Sequence, residues 1–299
     1  MKVRKVGRIS RRDALCVVGG APLVLLLGCG DDEPRGADAG SGGVGGRGGS
    51  AGAAGGGKGG SDETADSEWA TGGTAAMTAL ATYRNPFANV AADSCELTCQ
   101  FTTGPCHDDQ APEREDISED EAGLPMRFGL RILDENCEPV SDADVDIWHC
   151  DSVGVYSSET ADNPGFCTGS DATALKKRFF RGHRGTDENG VVWFSSCFPG
   201  WYSGRAIHIH FTIRRSSRSG DDYLTSQLAF SEALIKEICA THPDYSAHGQ
   251  PNTANTRDTV FSAETVDDYV LSTERTSDGA LLAWKTIIVR ASLSTRVCG

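Results

Sequence analysis

The chain has no excess of basic charge and no hydrophobic run long enough for a typical membrane-spanning helix. It holds 28 lysines and arginines against 42 aspartates and glutamates, a formal net charge of −14. Residues 1–29 contain six of those basic residues and one acidic residue, so the rest of the chain is more acidic still. Nucleic-acid binding needs a basic face, and this composition argues against it. The apolar run from Val17 to Leu27 is too short for a typical spanning helix.

Residues 1–29 are typical of an export signal. A basic start precedes the twin-arginine segment Ser10-Arg11-Arg12-Asp13-Ala14-Leu15, and the apolar run follows it. Leu26-Leu27-Gly28-Cys29 is similar to a lipoprotein cleavage box, in which Cys29 becomes the lipidated first residue. Ordinary cleavage that leaves Cys29 unmodified is the alternative. The sequence therefore predicts a protein exported to the cell envelope, with a lipid on Cys29 as its only link to a membrane.

Large apolar side chains are scarce in the segment that follows. Residues 40–60 contain 13 glycines and no apolar side chain larger than Val44. Such a segment cannot bury enough surface to offset the entropy lost when it becomes ordered. We predict a flexible, glycine-rich tether over residues 30–75 and one folded domain over residues 76–299.

The eleven cysteines are too many for an ordinary cytosolic enzyme. In an oxidising compartment the cysteines of the folded region favour disulfides, and their odd number leaves one that is free or paired with another chain. Cys137 and Cys150 are the preferred pair, since they lie at what look like the ends of adjoining strands, although the full pairing is not deducible from sequence. A structural zinc site on Cys95, Cys99 and Cys106 is the competing interpretation. The nine cysteines concerned are Cys95, Cys99, Cys106, Cys137, Cys150, Cys167, Cys197, Cys239 and Cys298.

Short alternating segments separated by turn signals predict an all-β protein. Met126 to Leu133 and Val145 to Cys150 alternate apolar with polar residues, and a turn at residues 186–190 precedes another strand. Ser231 to Ala240 is the clear helix candidate, with Ser231 as its cap. We expect a β-sandwich core with long loops, notably over residues 241–280, and one or two short helices. The remaining predicted strands cover residues 191–194, the segment around His208 and His210, residues 227–230 and residues 287–289.

His208 and His210 are the most informative pair in the folded region. They alternate with Ile209 and Phe211, so on a strand both imidazoles point to one side and the apolar side chains to the other. Two imidazoles on one strand make half of a metal site. A zinc hydrolase would complete it with an acidic residue, but no suitably spaced carboxylate favours that choice. A polar strand face without a metal is the plain alternative.

Two sequence blocks occur in a specific order, and the second contains this pair. Asp144 to Tyr156 reads strand–Trp–His–Cys–Asp…Gly–x–Tyr, and residues 198–210 read Pro–Gly–x–Tyr…Arg–x–x–His–x–His. Over roughly residues 90–299 the chain resembles the intradiol ring-cleavage dioxygenases, the family of catechol and protocatechuate dioxygenases, and most of all its compact, exported members. The resemblance implies a β-sandwich fold. It also implies a non-haem Fe(III) cofactor.

The resemblance implies that Tyr156 and Tyr202 bind the iron as phenolates, with His208 and His210 as the two imidazole ligands. Elementary chemistry agrees, because a hard trivalent ion favours anionic oxygen donors. Zinc would more often take a third histidine or a carboxylate. The implied reaction opens the ring of a small catechol with O2, between its two oxygen-bearing carbons, to a muconate-type diacid.

Three further roles follow from the same resemblance. Tyr202 leaves the metal and acts as a general base, and Arg205 stabilises negative charge that develops on the ring. Gln227 matches a polar residue near the oxygen pocket. Gly154 and Gly200 are expected to form turns that aim the two tyrosines inward. The other histidines are interpreted as structural or exposed, and these are His107, His149, His183, His242 and His248.

The chain departs from the family pattern at several places. Tyr202 lies only six residues before His208, so the loop over the site is short. Cys106 stands where the family commonly has a tyrosine, and the helical N-terminal dimer module is absent. The identity of the catechol and the oligomeric state therefore stay open. A non-catalytic β-sandwich binding lipoprotein that keeps the fold is the alternative function.

Overall fold

The computed structural model describes residues 68–299 apart from 89–93, 217–220, 296, 297 and 299. The predicted signal and the proposed lipid site at Cys29 lie outside the described residues. The described chain begins inside the predicted tether, where the backbone amides of Ala70 and Gly73 already donate to Gly279 and Gly123 of the domain. Within the described part of the chain, no helix has the length and apolar character needed to cross a membrane.

In the part of the chain that the structure describes, eight strands form two four-stranded sheets, which confirms the predicted all-β sandwich. One sheet has the order β4-β1-β8-β7 and the other the order β3-β2-β5-β6. The strands are β1 Pro125–Asp134, β2 Asp144–Trp148, β3 Arg181–Gly185, β4 Val191–Cys197, β5 His208–Arg214, β6 Asp222–Ala229, β7 Ser272–Arg275 and β8 Leu281–Val289. The helices are α1 Pro164–Cys167, α2 Glu232–Thr241 and α3 Pro243–Ser246.

The pairing of the strands positions β5 in the interior of its sheet. It is antiparallel to β2 on one side and to β6 on the other, and every residue of β5 is buried. Ile209, Phe211 and Ile213 belong to the main hydrophobic core. Because side chains alternate along a strand, His208 and His210 point away from that core toward the loops that follow β2 and β4. β1 pairs with β8 in parallel, and parallel strands need a long crossover connection. The four strands of the second sheet lie within that connection in sequence.

The predicted helix is confirmed as α2. The side chain of Ser231 accepts a hydrogen bond from the backbone N–H of Leu234, and Leu234, Ile235 and Ile238 are buried along one face. The expectation of loops throughout residues 241–280 is partly wrong, since α3 and β7 lie there. β7 is only four residues long and has no clear alternating pattern. Its antiparallel pairing with β8 stabilises it as a strand.

The described cysteines form three disulfides, which are Cys95–Cys137, Cys99–Cys298 and Cys106–Cys167. The predicted pair Cys137–Cys150 is therefore wrong. Cys137 lies in the turn before β2 and pairs with Cys95, whereas Cys150 follows the opposite end of that strand and is buried without a disulfide partner. The zinc alternative is also wrong, because Cys95, Cys99 and Cys106 each belong to a different disulfide.

The expectation of one unpaired cysteine is wrong as well. Three described cysteines are unpaired, and all are buried: Cys150, Cys197 and Cys239. Burial raises the pKa of each of these thiols above its ordinary value, which keeps them protonated. They therefore act as small apolar side chains of the interior.

Candidate metal centre

The two histidines of β5 present adjacent nitrogen atoms to one point. His208 Nε2 and His210 Nε2 lie 3.1 Å apart. His208 Nδ1 lies 2.6 Å from the carbonyl oxygen of Ala206, so Nδ1 carries the proton and Nε2 keeps a free lone pair. The ring of His210 stacks on Trp148 with a centroid distance of 4.9 Å and an interplanar angle of 10°. Both rings are therefore held in place by protein contacts behind them.

Tyr202 reaches the same point from the loop between β4 and β5. Its Oη lies 3.2 Å from His208 Nε2. Burial raises the pKa of Tyr202 to about 12, and the nearby guanidinium of Arg205 partly opposes this rise. The phenol consequently stays protonated at neutral pH unless a cation or a base takes its proton.

Tyr156 comes from a separate turn after β2. Its side chain is 2 % exposed, and its Oη makes no hydrogen bond of standard length and angle with the described residues, although the hydroxyl of Tyr202 lies close to it. Its ring centroid is 5.9 Å from that of Tyr202 and 6.5 Å from that of His210. Burial, together with the neighbouring Tyr202, raises the pKa of Tyr156 well above its ordinary value. A buried hydroxyl without a partner costs free energy, and such groups often serve a bound ligand.

Two glycines allow the loops that carry the tyrosines to pack against each other. Gly154 has φ 87°, and a Cβ there would collide with the backbone oxygen of Trp201. A Cβ on Gly200 would collide with the backbone oxygen of Ser152. Any other residue at either place would push the two loops, and hence Tyr156 and Tyr202, apart.

The donor atoms fit a metal ion. Ligand atoms about 2.1 Å from a shared ion and at right angles to one another are about 3 Å apart. His208 Nε2 lies at nearly this distance from both Tyr202 Oη and His210 Nε2. Burial and the charge of Arg205 lower the pKa of His208 to about 3, and burial and His208 lower that of His210, so both imidazoles are neutral. Neutral imidazoles are the form that binds metals.

The donor set differs from that of an ordinary zinc site. Across the described residues there is no group of three or more histidines, cysteines, aspartates or glutamates able to hold a metal ion. A pair of histidines completed by a carboxylate therefore does not form in this part of the chain. Two phenols supply the remaining oxygen donors, and hard trivalent cations favour such oxygen donors once they are ionised.

A fixed cation lies beside these donors. Arg205 Nε donates to Asp258 Oδ2 at 2.9 Å, and Arg205 Nη2 donates to Gln227 Oε1 at 2.6 Å. Arg205 Nη1 lies 3.4 Å from His208 Nε2. Gln227 in turn donates to the carbonyl oxygen of Thr102 at 2.8 Å. Hydrogen bonds to Asp258 and Gln227 thus hold the positively charged guanidinium of Arg205 beside the site.

Asp258 is a functional residue that sequence reasoning missed. It lies in a loop far along the chain and receives hydrogen bonds from Arg205 and from the backbone N–H of Ala206, 2.7 Å away. Burial opposes ionisation of Asp258, but these hydrogen bonds and the charge of Arg205 lower its pKa. No local sequence pattern marks it, since the contact joins residues about fifty positions apart.

A cavity of about 250 Å³ opens onto the two tyrosines. Its wall includes the Cys106–Cys167 disulfide, Gly154 and Ser203. The segment at residues 103–105 brings Gly104 against the ring of His210, where an added Cβ would lie 3.2 Å from Cε1. A small aromatic molecule in this cavity would lie against the donor atoms.

The five other histidines have partners outside this centre. His149 lies between the Cys150 carbonyl oxygen and the Ser196 hydroxyl, and burial lowers its pKa to about 4. His107 contacts Asp146, His183 contacts Asp144, and His242 and His248 each contact a backbone carbonyl oxygen. None of these five described histidines therefore joins the predicted donors, which are Tyr156, Tyr202, His208 and His210. Arg205 and Gln227 lie beside those donors.

The chain is similar to known dioxygenases. Residues 98–241 match the family model described as Dioxygenase. An intradiol ring-cleavage dioxygenase of Aspergillus niger is 26% identical over 160 residues, which cover 44% of this chain and 45% of that protein. The chain thus matches about half the length of that curated relative.

Two solved structures have the same fold. An intradiol ring-cleavage dioxygenase from Tetranychus urticae aligns with a TM-score of 0.58 and 26% identity, covering 68% of this chain and 99% of that one. The dioxygenase Tetur07g02040 aligns with a TM-score of 0.57 and 28% identity, covering 66% of this chain and 95% of that one. The matched family model, these similarities and the two-sheet architecture show that the chain resembles the intradiol ring-cleavage dioxygenases in sequence and in fold.

Proposed function

We propose that the protein is a non-haem Fe(III) dioxygenase that opens the ring of a small catechol with O2 to a muconate-type diacid. The supporting observation is that His208 Nε2 lies 3.2 Å from Tyr202 Oη and 3.1 Å from His210 Nε2, with the buried hydroxyl of Tyr156 nearby. These four residues would hold the iron. When bound, ferric iron would supply the positive charge that ionises the phenols and would activate a chelated catechol toward O2. The reaction adds both atoms of O2 to the substrate and needs no other reductant.

Tyr202 is suited to move a proton. The hydroxyl lines the cavity and lies beside His208 Nε2, within reach of a substrate hydroxyl. A phenolate there is a strong base, since burial favours the protonated form of Tyr202. It can therefore accept the proton that a catechol loses when it binds.

Arg205 is suited to stabilise negative charge on the ring. Asp258 and Gln227 hold its guanidinium before substrate arrives, so little reorganisation is needed during the reaction. Gln227 positions both Arg205 and, through its amide N–H, the loop at Thr102. These contacts keep a preorganised cation at the edge of the site.

The experiment loads purified protein with Fe(III) and measures visible absorption, O2 consumption and product mass with isotopically labelled O2. We expect a phenolate-to-iron absorption band and one O2 consumed per catechol, with both labelled atoms in a ring-opened diacid. Tyr202→Phe is expected to weaken the band and lower turnover, whereas the matched control Tyr223→Phe, on β6, is expected to change neither. A colourless protein after iron loading would favour a non-catalytic binding protein instead.

We also propose that the protein is exported to the cell envelope and lipidated at Cys29. Three disulfides in the described domain support an oxidising compartment. The test is mass spectrometry of the mature N-terminus from native membranes. An acylated Cys29 is expected, and an unmodified N-terminus in the soluble fraction would contradict the anchor.

A further inference from the structure

A large apolar side chain, that of Phe166, is exposed at the mouth of the cavity described above. Large hydrophobic side chains exposed in the described residues are Leu80 at 36%, Val153 at 47% and Phe166 at 64%. Phe166 lines the cavity, and Val153 immediately precedes Gly154, which also lines it. Ligand pockets are lined mainly by apolar and aromatic side chains, so the exposed ring of Phe166 at the mouth of this cavity is placed to contact an apolar group of a ligand.

The rim that carries Phe166 is held firmly. Phe166 lies in α1, whose last residue, Cys167, forms the disulfide with Cys106 in the cavity wall. The backbone N–H of Asn163, just before α1, donates to the carbonyl oxygen of Pro105 at 3.0 Å. Phe166 is therefore presented on a cross-linked support, so little conformational freedom is lost when a ligand contacts it.

The cavity wall carries no charged side chain among the described residues that line it. The nearby cation, Arg205, is already bound to Asp258 and Gln227. A carboxylate on a substrate would lose hydration here without gaining a cationic partner, which is unfavourable. The acidic chain, with a net charge of −14, adds long-range repulsion of anions.

The volume of the cavity leaves room beyond an aromatic ring. An apolar cavity of about 150 Å³ is enough to bind benzene. The cavity above the tyrosines measures about 250 Å³, so a ring placed against Tyr156 and Tyr202 leaves space toward Phe166 for a substituent.

We propose that the preferred substrates are uncharged catechols with an apolar substituent, and that Phe166 is the side chain that selects them by contact with that substituent. The proposal rests on the proposed ring-cleavage function, since it concerns the same site. It distinguishes this cavity from one built for catechol carboxylates, which would need a free cation in the wall.

The experiment compares catechol, 4-tert-butylcatechol and 3,4-dihydroxybenzoate in the iron-loaded full-length protein. We expect kcat/KM for 4-tert-butylcatechol to exceed that for 3,4-dihydroxybenzoate at least tenfold. Phe166→Ala should lower the ratio of kcat/KM between 4-tert-butylcatechol and catechol about tenfold, a typical effect of lost apolar pocket contacts. Leu80→Ala, the matched exposed apolar control away from the cavity, should leave this ratio unchanged.

A binding measurement on iron-free protein separates this proposal from the ring-cleavage function. In saturation-transfer NMR, the tert-butyl protons should receive strong saturation from the wild type and from Leu80→Ala, and less from Phe166→Ala. Equal saturation in all three proteins, or a kcat/KM that is highest for 3,4-dihydroxybenzoate, would overturn the role of Phe166. If no catechol is consumed, the proposed function fails, and the NMR contact alone decides whether Phe166 binds the substituent.

Discussion

Replacing Tyr156 by phenylalanine separates the stability of the fold from the binding of a metal. The ring of Tyr156 is packed in the interior, but its hydroxyl makes no hydrogen bond of standard length and angle with the described residues. A buried hydroxyl left without a partner costs about 1–3 kcal/mol. Tyr156→Phe removes only that hydroxyl, so the iron-free variant should be more stable than the iron-free wild type by about 1 kcal/mol. For a domain of this size, that corresponds to a rise of about 2–4 °C in Tm.

Tyr245→Phe provides a matched control, because Tyr245 is equally buried but its hydroxyl is satisfied. That hydroxyl donates to the carbonyl oxygen of Phe198 and accepts from the backbone N–H of Leu124. Its removal leaves two buried groups unpaired and should lower the free energy of unfolding by about 1–3 kcal/mol. The same substitution is therefore expected to change stability in opposite directions at the two positions.

Iron loading should reverse the order of wild type and Tyr156→Phe. A ligand that binds the folded state stabilises it by about 2.7 kcal/mol when present at a hundred times its dissociation constant. The variant lacks one phenolate donor, so it should gain less and should lose most of the visible absorption band. The assay is scanning calorimetry of both forms, with and without iron, together with absorption spectra.

Two results would refute this reasoning. If iron-free Tyr156→Phe is destabilised as much as Tyr245→Phe, then the Tyr156 hydroxyl makes a stabilising contact in the protein. If the loaded variant keeps the full band, Tyr156 is not a ligand.

Three further predictions concern the surroundings of the site. Asp258→Asn should free Arg205 and lower kcat about tenfold or more, with a smaller change in the visible band. An unchanged kcat in steady-state assays would argue against preorganisation of the guanidinium. Burial opposes ionisation of Asp108, but hydrogen bonds from two hydroxyls and a backbone amide outweigh it and lower its pKa below 3.8. The stabilisation from this carboxylate is therefore complete above about pH 4 and lost as pH falls through the folded-state pKa. The free energy of unfolding should consequently fall less steeply below pH 4 in Asp108→Asn than in the wild type. Replacing Cys106 and Cys167 together by serine should lower stability by about 4 kcal/mol, because the disulfide closes a loop of 61 residues, and urea unfolding without a detectable loss would contradict this.

The sequence was most informative where chemistry and local pattern coincide. The alternation around His208 and His210 predicted a strand with both imidazoles on one side, and β5 has that arrangement. Ser231 predicted the start of α2, because its capping hydrogen bond joins it to Leu234, only three residues later. The order of the motifs also identified the family, which the comparisons confirm. Such features depend on neighbours within a few positions, and these are visible in a linear sequence.

Other elements had no readable local pattern. β3 contains Arg181, Gly182 and His183 and lacks the β-branched alternation of a typical strand. It forms because β2 offers a free edge beside it, and the buried Arg181 is satisfied by Ser157 and by the carbonyl oxygen of Cys106. β7 likewise depends on pairing with β8. Pairing between distant segments overrides weak local preference.

By itself, the sequence determined the class of fold, the family and the identity of the candidate donor residues, since alternation and motif order are properties of neighbouring residues. The tertiary structure alone decided which cysteines meet, that Asp258 holds Arg205, and that Phe166 stands at the mouth of the cavity above Tyr156 and Tyr202. Each of these depends on where the chain returns after many residues. That path is set by how the two sheets bury their shared core, and no short pattern encodes it.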